Sequence, residues 1–153
     1  EGRYSRTIHI LDHTGDLDIT QRRKQIPVIG RITAGLPMYA QQEWEETLLV
    51  DAKLYPGPNL FALKIQGDSM KNAGILDQDI AICEPRQFAH NKEIVVALIH
   101  HDQATVKRFF LHPDYIELRP ENPDFHPQQY DFEDILIQGK VIGIIRTPQG
   151  MDR

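Results

Sequence analysis

Residues 60–66 read Leu60-Phe61-Ala62-Leu63-Lys64-Ile65-Gln66, and from Phe61 onward large apolar side chains stand at every second position. A period of two is typical of a β-strand that buries one face and leaves the other in water. We therefore expect Phe61, Leu63 and Ile65 to face the core. The turn signal Pro56-Gly57-Pro58-Asn59 precedes this stretch and marks where the strand begins.

Similar short runs recur along the chain from Ile26 onward. Runs rich in Val, Ile and Phe are separated by Gly, Pro, Asn and Asp at intervals of about 10 to 15 residues, which is typical of a mostly β domain. The predicted strands are Pro27–Ile32, Leu60–Gln66, Ile80–Cys83, Glu93–His100, Ala104–Phe110, Tyr115–Arg119, Ile135–Gln138 and Lys140–Ile145. One short helical stretch is expected from Ser69 to Ala73, ended by Gly74. The sequence therefore predicts a compact, multi-strand β domain with only short helical turns.

The charge and composition of the 153-residue chain exclude several classes of protein. It carries 17 Lys and Arg against 22 Asp and Glu, and the net charge of −5 argues against binding of a phosphate backbone by the chain as a whole. No apolar run approaches the roughly 20 residues of a membrane span, and the start Glu1-Gly2-Arg3 does not resemble a signal peptide. A single cysteine, Cys83, allows no internal disulfide. We expect a soluble, intracellular domain without membrane contact.

The histidines do not indicate a metal site. Their positions are His9, His13, His90, His100, His101, His112 and His126, and no two have a spacing known to converge on a metal. The pair His100-His101 falls in a predicted turn and is expected at the surface. A Ser-His-Asp triad stays open by residue count alone, but no histidine stands in a motif. We expect neither a metal nor a cofactor.

Two other side chains could carry chemistry. Ser69 stands in Gly67-Asp68-Ser69-Met70-Lys71, where a strand ends and a short helix begins, so it could simply cap the helix. In the same place a serine could act as a nucleophile beside free backbone N–H groups. Lys107 could lie on the wet face of its strand or serve as a neutral base. The second role requires a dry pocket, because only burial would bring a lysine pKa of about 10.4 towards neutrality.

Four segments of the chain form an ordered set. They are Gly67-Asp68-Ser69-Met70-Lys71-Asn72-Ala73-Gly74-Ile75-Leu76-Asp77-Gln78-Asp79, Val95-Val96-Ala97, Thr105-Val106-Lys107-Arg108 and Leu118-Arg119-Pro120-Glu121-Asn122-Pro123. The set resembles, in order and spacing, the self-cleaving domain of LexA-type repressors, a family that also holds phage repressors and UmuD-type polymerase accessory proteins. The resemblance covers about residues 26–147 and implies a β fold of the LexA and signal-peptidase type.

The resemblance implies a serine peptidase that cuts its own chain. Ser69 matches the family's nucleophile and Lys107 its general base. The segment Arg31-Ile32-Thr33-Ala34-Gly35-Leu36-Pro37 matches the substrate loop, with Ile32, Thr33 and Leu36 flanking a scissile Ala34-Gly35 bond. The backbone N–H groups of Asp68 and Ser69 would hold the oxyanion. The family usually has a small or apolar residue before the nucleophile, so the Asp68 carboxylate should point to solvent, or it would raise the pKa of Lys107.

The resemblance also implies a biological role and a domain organisation. It implies a transcriptional repressor of the DNA-damage (SOS) response in the bacterial cytoplasm, which inactivates itself when a RecA filament on single-stranded DNA stimulates cleavage. Residues 1–25 would be the end of a DNA-binding wing, at residues 3–11, plus a flexible linker. Residues 26–147 would be the protease and dimerisation domain, and residues 148–153 a tail. Operator DNA would be bound only through a helix-turn-helix domain that this chain is expected to lack.

Other functions remain open from the sequence. A UmuD-type accessory protein would share the Ser-Lys dyad, although such proteins begin with a short arm instead of a wing. A non-catalytic β interaction domain would leave Ser69 as a helix cap and Lys107 at the surface. A signal-peptidase-like enzyme would use the same dyad on other chains. The predicted strands at 135–138 and 140–145 are apolar enough to pair across a homodimer, or to be internal.

Overall fold

The computed structural model describes residues 22–152 of the chain. Nine β-strands in this part are joined in one mixed sheet. The strands are β1 (Arg23–Arg31), β2 (Glu43–Asp51), β3 (Phe61–Lys64), β4 (Ile80–Pro85), β5 (Ile94–Ile99), β6 (Gln103–Leu111), β7 (Ile116–Arg119), β8 (Gln128–Tyr130) and β9 (Ile135–Ile145). Their order across the sheet is β2-β1-β3-β4-β9-β5-β6-β7-β8, and β1 with β3 is a parallel pair. The prediction of a mostly β domain with short helical turns is confirmed.

Two strands escaped the sequence prediction, and both lie at the edges of the sheet. The first five residues of β2, from Glu43 to Thr47, are exposed, and β2 pairs only with β1 among the described strands. An edge strand with both faces wet has no alternation of apolar and polar residues, so the usual signal is absent. The three-residue strand β8 is the opposite edge and is also mostly exposed.

The prediction of two separate strands before and after Gly139 is wrong, because β9 runs through without a break. A Cβ atom at Gly139 would lie 2.8 Å from the carbonyl oxygen of Glu84 and 3.0 Å from the ring of Phe61. The glycine therefore permits close packing within the sheet and does not mark a turn.

Strand β9 bridges two parts of the sheet. Its first half pairs with β5 and its second half with β4. The register with β5 skips one residue, because Val96 lies opposite Gly139 and Ala97 opposite Ile137. Gln138 is therefore the extra residue of a β-bulge, a feature that redirects a side chain.

The predicted linker ends earlier than expected, because β1 begins at Arg23. The Lys24 ammonium donates hydrogen bonds to the carbonyl oxygens of Tyr55 and Gly57, both at 2.6 Å. Polar contacts of this kind anchor the start of the strand without producing a hydrophobic period. The predictions for residues 1–21, including the wing at residues 3–11, lie outside the described residues. In the predicted tail, Pro148–Met151 forms one helical turn, α1.

A buried apolar cluster joins the two segments that carry Ser69 and Lys107. It includes Phe61 on β3, Met70 directly after Ser69, and Val106 directly before Lys107. Because these neighbours share one core, the two segments are held against each other. The tip of the β1–β2 hairpin, residues 32–42, packs on the same cluster through Met38. No helix within residues 22–152 has the length and apolar character of a membrane span.

Candidate active site

A tight turn after β3 presents Ser69. Gly67 adopts a positive φ of 90°, a conformation that glycine adopts easily, and its N–H donates to the Asp77 carboxylate at 2.7 Å. The 3-10 turn that follows begins after Met70 without any side-chain capping bond, and Gly74 ends it in the left-handed region as expected. Ser69 therefore does not cap this turn, and its half-buried hydroxyl is available for another role.

Ser69 and Lys107 line the same cavity, which has a volume of about 360 Å³. Its walls combine apolar side chains, such as Ile29 and Ile65, with polar ones that include Glu45 and Asp102. The chain thus brings together a hydroxyl and an amine that are far apart in sequence. The cavity lies between the turn after β3, strand β6 and the start of the β1–β2 hairpin tip.

Burial lowers the pKa of Lys107, because a charged ammonium is poorly solvated inside this cavity. The Nζ atom donates a hydrogen bond of 2.8 Å to the Thr105 hydroxyl. Side chains two residues apart on a strand share a face, so the Thr105 contact fixes the direction of the amine. No carboxylate of residues 22–152 lies within 4.0 Å of this Nζ atom, and Asp68 is exposed. The site can therefore supply a neutral amine as a base.

The expected substrate loop lies beside this cavity with its scissile bond outside. Ile32 and Met38 line the cavity, whereas Ala34 and Gly35 are exposed and do not. Gly35 and Leu36 instead line a second, larger groove of about 1170 Å³. In this structure the Ala34-Gly35 bond is therefore away from Ser69.

Two glutamine side chains hold the loop in this position. Gln41 is 1% exposed, and its side-chain oxygen accepts a hydrogen bond of 2.7 Å from the Thr33 N–H. Its side-chain N–H groups donate to the carbonyl oxygens of Thr33 at 3.0 Å and of Leu36 at 2.9 Å. Gln138, at the β9 bulge, accepts a hydrogen bond of 2.8 Å from the Met38 N–H. No sequence pattern assigned a role to either glutamine or to Thr105. Thr105 shares a strand with Lys107, so its position two residues away was the available signal.

Comparison with known proteins agrees with this geometry. A family model described as Peptidase S24-like matches residues 27–142. The chain belongs to this family. The Peptidase S24-like domain is 44% identical to the LexA repressor of Halalkalibacterium halodurans over 144 residues, which cover 93% of this chain and 69% of that repressor. It is 45% identical to the LexA repressor of Bacillus subtilis over 93% of this chain and 68% of that protein.

A third relative, the LexA repressor of Clostridioides difficile, is 41% identical over 93% of this chain and 69% of its own length. The S24-like match and these identities show a self-cleaving serine peptidase domain of the LexA repressor type.

Proposed function

We propose that this S24-like domain cleaves its own Ala34-Gly35 bond, with Ser69 as nucleophile and Lys107 as general base. One observation carries the proposal: the two side chains share a cavity in which burial lowers the pKa of Lys107. A neutral lysine can activate a serine without a histidine. Ile32 and Met38 already line this cavity, so the loop that contains the bond is within reach.

The reaction is an intramolecular acyl transfer followed by hydrolysis. The neutral Nζ atom of Lys107 takes the proton of the Ser69 hydroxyl, and Oγ attacks the carbonyl carbon of Ala34. The carbon–nitrogen bond to Gly35 then breaks, and Lys107 returns the proton to the leaving amine. Water, deprotonated by the same lysine, hydrolyses the ester and leaves a carboxylate on Ala34. The backbone N–H groups of Asp68 and Ser69 stabilise the oxyanion.

Cleavage requires the loop to move from its observed position into the cavity. Because nucleophile and substrate share one chain, the effective concentration is very high whenever the loop is docked. The rate is then limited by the fraction of molecules in the docked form. A docked loop also excludes water from Lys107 and lowers its pKa further.

The likeness to LexA repressors supports a proposal for the partners of the domain. We propose that it acts in the bacterial cytoplasm as part of a repressor of the SOS response. A RecA filament on single-stranded DNA would favour the docked loop. Cleavage would separate the operator-binding part from the dimerising part, and the loss of paired binding sites would weaken the grip on DNA.

The second half of β9 supports dimerisation. Residues 141–145 pair with β4 on one side, and no described strand pairs with their other edge. Every residue from Lys140 to Ile145 is half-buried, including Ile142 and Ile144. An apolar strand with one open edge is suited to pairing with a second copy. We propose that this edge contributes to the homodimer.

Self-cleavage is tested by incubating the purified chain at about pH 10, where even a lysine of ordinary pKa is partly neutral. Mass spectrometry should find fragments 1–34 and 35–153 at a rate independent of protein concentration. Ser69→Ala should yield no fragments, whereas Ser5→Ala, at the other serine of the chain, should cleave normally. An intact wild-type chain that remains folded would contradict the proposal and favour an interaction domain.

Replacing Gln138 with leucine should increase the rate of self-cleavage. The substitution removes the acceptor of the Met38 N–H, a bond of 2.8 Å that is present in the structure in which the scissile bond lies away from Ser69. We expect docking of the loop to break this bond. One net hydrogen bond is worth about 1 kcal/mol, so the rate at fixed pH should rise roughly fivefold. The assay is the time course of fragment appearance, with the exposed Gln129→Leu as the matched control. A rate equal to wild type would show that Gln138 does not hold the loop.

A further inference from the structure

The loop after β7 carries the segment Pro120-Glu121-Asn122-Pro123, which forms part of the ordered motif set but has no role in the proposed reaction. In the structure this loop packs against the turn that presents Ser69. Asn122 is 7% exposed, which is unusual for a polar side chain unless its hydrogen bonds are satisfied. Its partners therefore indicate why it is buried.

Asn122 and Glu121 bind the backbone on both sides of the nucleophile. The Asn122 amide donates a hydrogen bond of 2.9 Å to the carbonyl oxygen of Asp68, which also accepts from the Lys71 N–H at 3.1 Å. The Glu121 N–H donates to the carbonyl oxygen of Ser69 at 2.8 Å, and the Glu121 carbonyl accepts from the Asn72 N–H at 2.8 Å. The side-chain oxygen of Asn122 accepts a hydrogen bond of 2.9 Å from the Asp124 N–H. The loop after β7 therefore holds the turn that presents Ser69.

These bonds decide where the Ser69 N–H points. The described chain contains no cis peptide, and in a trans peptide the C=O and the N–H point in opposite directions. Because the Asn122 amide, together with the Lys71 N–H, holds the Asp68 oxygen, the Ser69 N–H is directed away from these two donors. That N–H has no acceptor within residues 22–152, so it remains able to bind another oxygen. It is one of the two groups assigned above to the oxyanion.

The same loop is also tied to the strand of the base. Arg108 follows Lys107 on β6, and its guanidinium donates to the Glu121 carboxylate at 2.8 Å and to the Lys92 carbonyl at 2.6 Å. Glu121 therefore contacts the nucleophile turn through its backbone and β6 through its side chain. The loop therefore sets the position of the nucleophile turn relative to strand β6.

We infer that Asn122 is a positioning residue that orients the Asp68–Ser69 peptide so that the Ser69 N–H binds the oxyanion. The inference rests on the proposed self-cleavage at Ser69. Asn122 touches no reacting atom and acts only through this peptide. Its loss leaves the Asp68 oxygen with only the longer bond from the Lys71 N–H, at 3.1 Å, so the Ser69 N–H is held less firmly in the direction that the transition state requires.

The test compares Asn122→Ala and Asn122→Asp with wild type. Asp has the size of Asn but cannot donate when ionised, and Asn91→Asp adds the same charge while keeping the acceptor for the Leu111 N–H. Self-cleavage is followed from about pH 7 to 11. A fluorophosphonate probe then tests Ser69 without the loop: Oγ bonds to phosphorus, fluoride leaves, and Lys107 takes the proton. Melting curves verify that each variant is folded.

Both Asn122 variants should lower the plateau rates of cleavage and of labelling about tenfold or more, since loss of one oxyanion donor typically costs 10²–10³ in rate. The pH midpoint of Asn122→Ala should stay at the wild-type value, because the base is untouched. A folded variant with the wild-type plateau, or one that changes only the midpoint, would overturn the inference.

If Asn122→Ala is unfolded at the assay temperature, the isosteric Asn122→Asp decides by its labelling plateau. Ser69→Ala separates the two proposals. Cleavage that persists in Ser69→Ala would contradict the proposed function itself.

Discussion

Replacing Lys107 with methionine should abolish self-cleavage at every pH. Loss of one member of a catalytic set costs roughly 10⁴-fold or more in rate, and no other base faces the Ser69 hydroxyl in the proposed reaction. The wild-type rate should rise with pH to a plateau whose midpoint lies below the ordinary lysine pKa, because burial lowers the pKa of Lys107. Lys71→Met is the matched control, since Lys71 is exposed beside the nucleophile turn.

The same substitution should stabilise the fold near neutral pH. The pKa of Lys107 is lower in the folded chain than in the unfolded chain, so the unfolded state holds the proton more tightly. This penalty is fully present below the folded-state pKa and disappears as the pH rises through the unfolded-state pKa of about 10.4. Methionine removes the cost of burying a charged amine, so Lys107→Met should melt at a higher temperature than wild type at about pH 7. The difference in melting temperature should disappear at alkaline pH. A lower melting temperature at pH 7 would contradict burial of the charged amine.

The sequence predicted most strands because short apolar runs stand between Gly, Pro, Asn and Asp. In β3, Phe61 and Ala62 are buried while Leu63 and Lys64 are half-exposed, so the prediction of one buried and one wet face is wrong at Ala62. Central strands such as β5 are almost wholly apolar, and the sequence predicted them equally well. The edge strand β2 was missed because it gains its stability from pairing with β1, and such pairing leaves no mark on its side chains.

The candidate site divides in the same way between local and distant contacts. The turn around Ser69, with glycines at both ends, and the strand of Lys107 are local features. Their shared cavity, however, was expected only from the family resemblance. The Asn122–Asp68 and Gln138–Met38 bonds span 54 and 100 residues, and no period or spacing in a single sequence encodes contacts at such distances.

Replacing Asp79 with alanine should destabilise the domain more than any surface substitution. Asp79 is completely buried, and its carboxylate accepts hydrogen bonds from Arg146 at 2.7 and 2.8 Å and from the Leu76 N–H at 2.7 Å. The variant leaves the Leu76 N–H without an acceptor. It also leaves the Arg146 guanidinium, which contacts Gly74, without its counter-ion.

We expect the free energy of unfolding to fall by about 3 kcal/mol, the lower end for a broken buried pair, because the Arg146 side chain can still reach water. Denaturant titration at about pH 7 measures this change, with the exposed Asp114→Ala as control. Burial opposes ionisation of Asp79, but the bonds from Arg146 and Leu76 outweigh it and hold the pKa of its carboxyl below the ordinary value.

The stabilisation by Asp79 is therefore fully present above the unfolded-state pKa of about 3.9 and is lost as the pH falls through the lower folded-state value. The difference in stability between wild type and Asp79→Ala should narrow in that acidic range. Arg146 connects the end of β9 to Gly74, so the loss should also loosen the turn after Ser69. A variant that keeps wild-type stability at pH 7 would show that the pair only balances its own cost of burial.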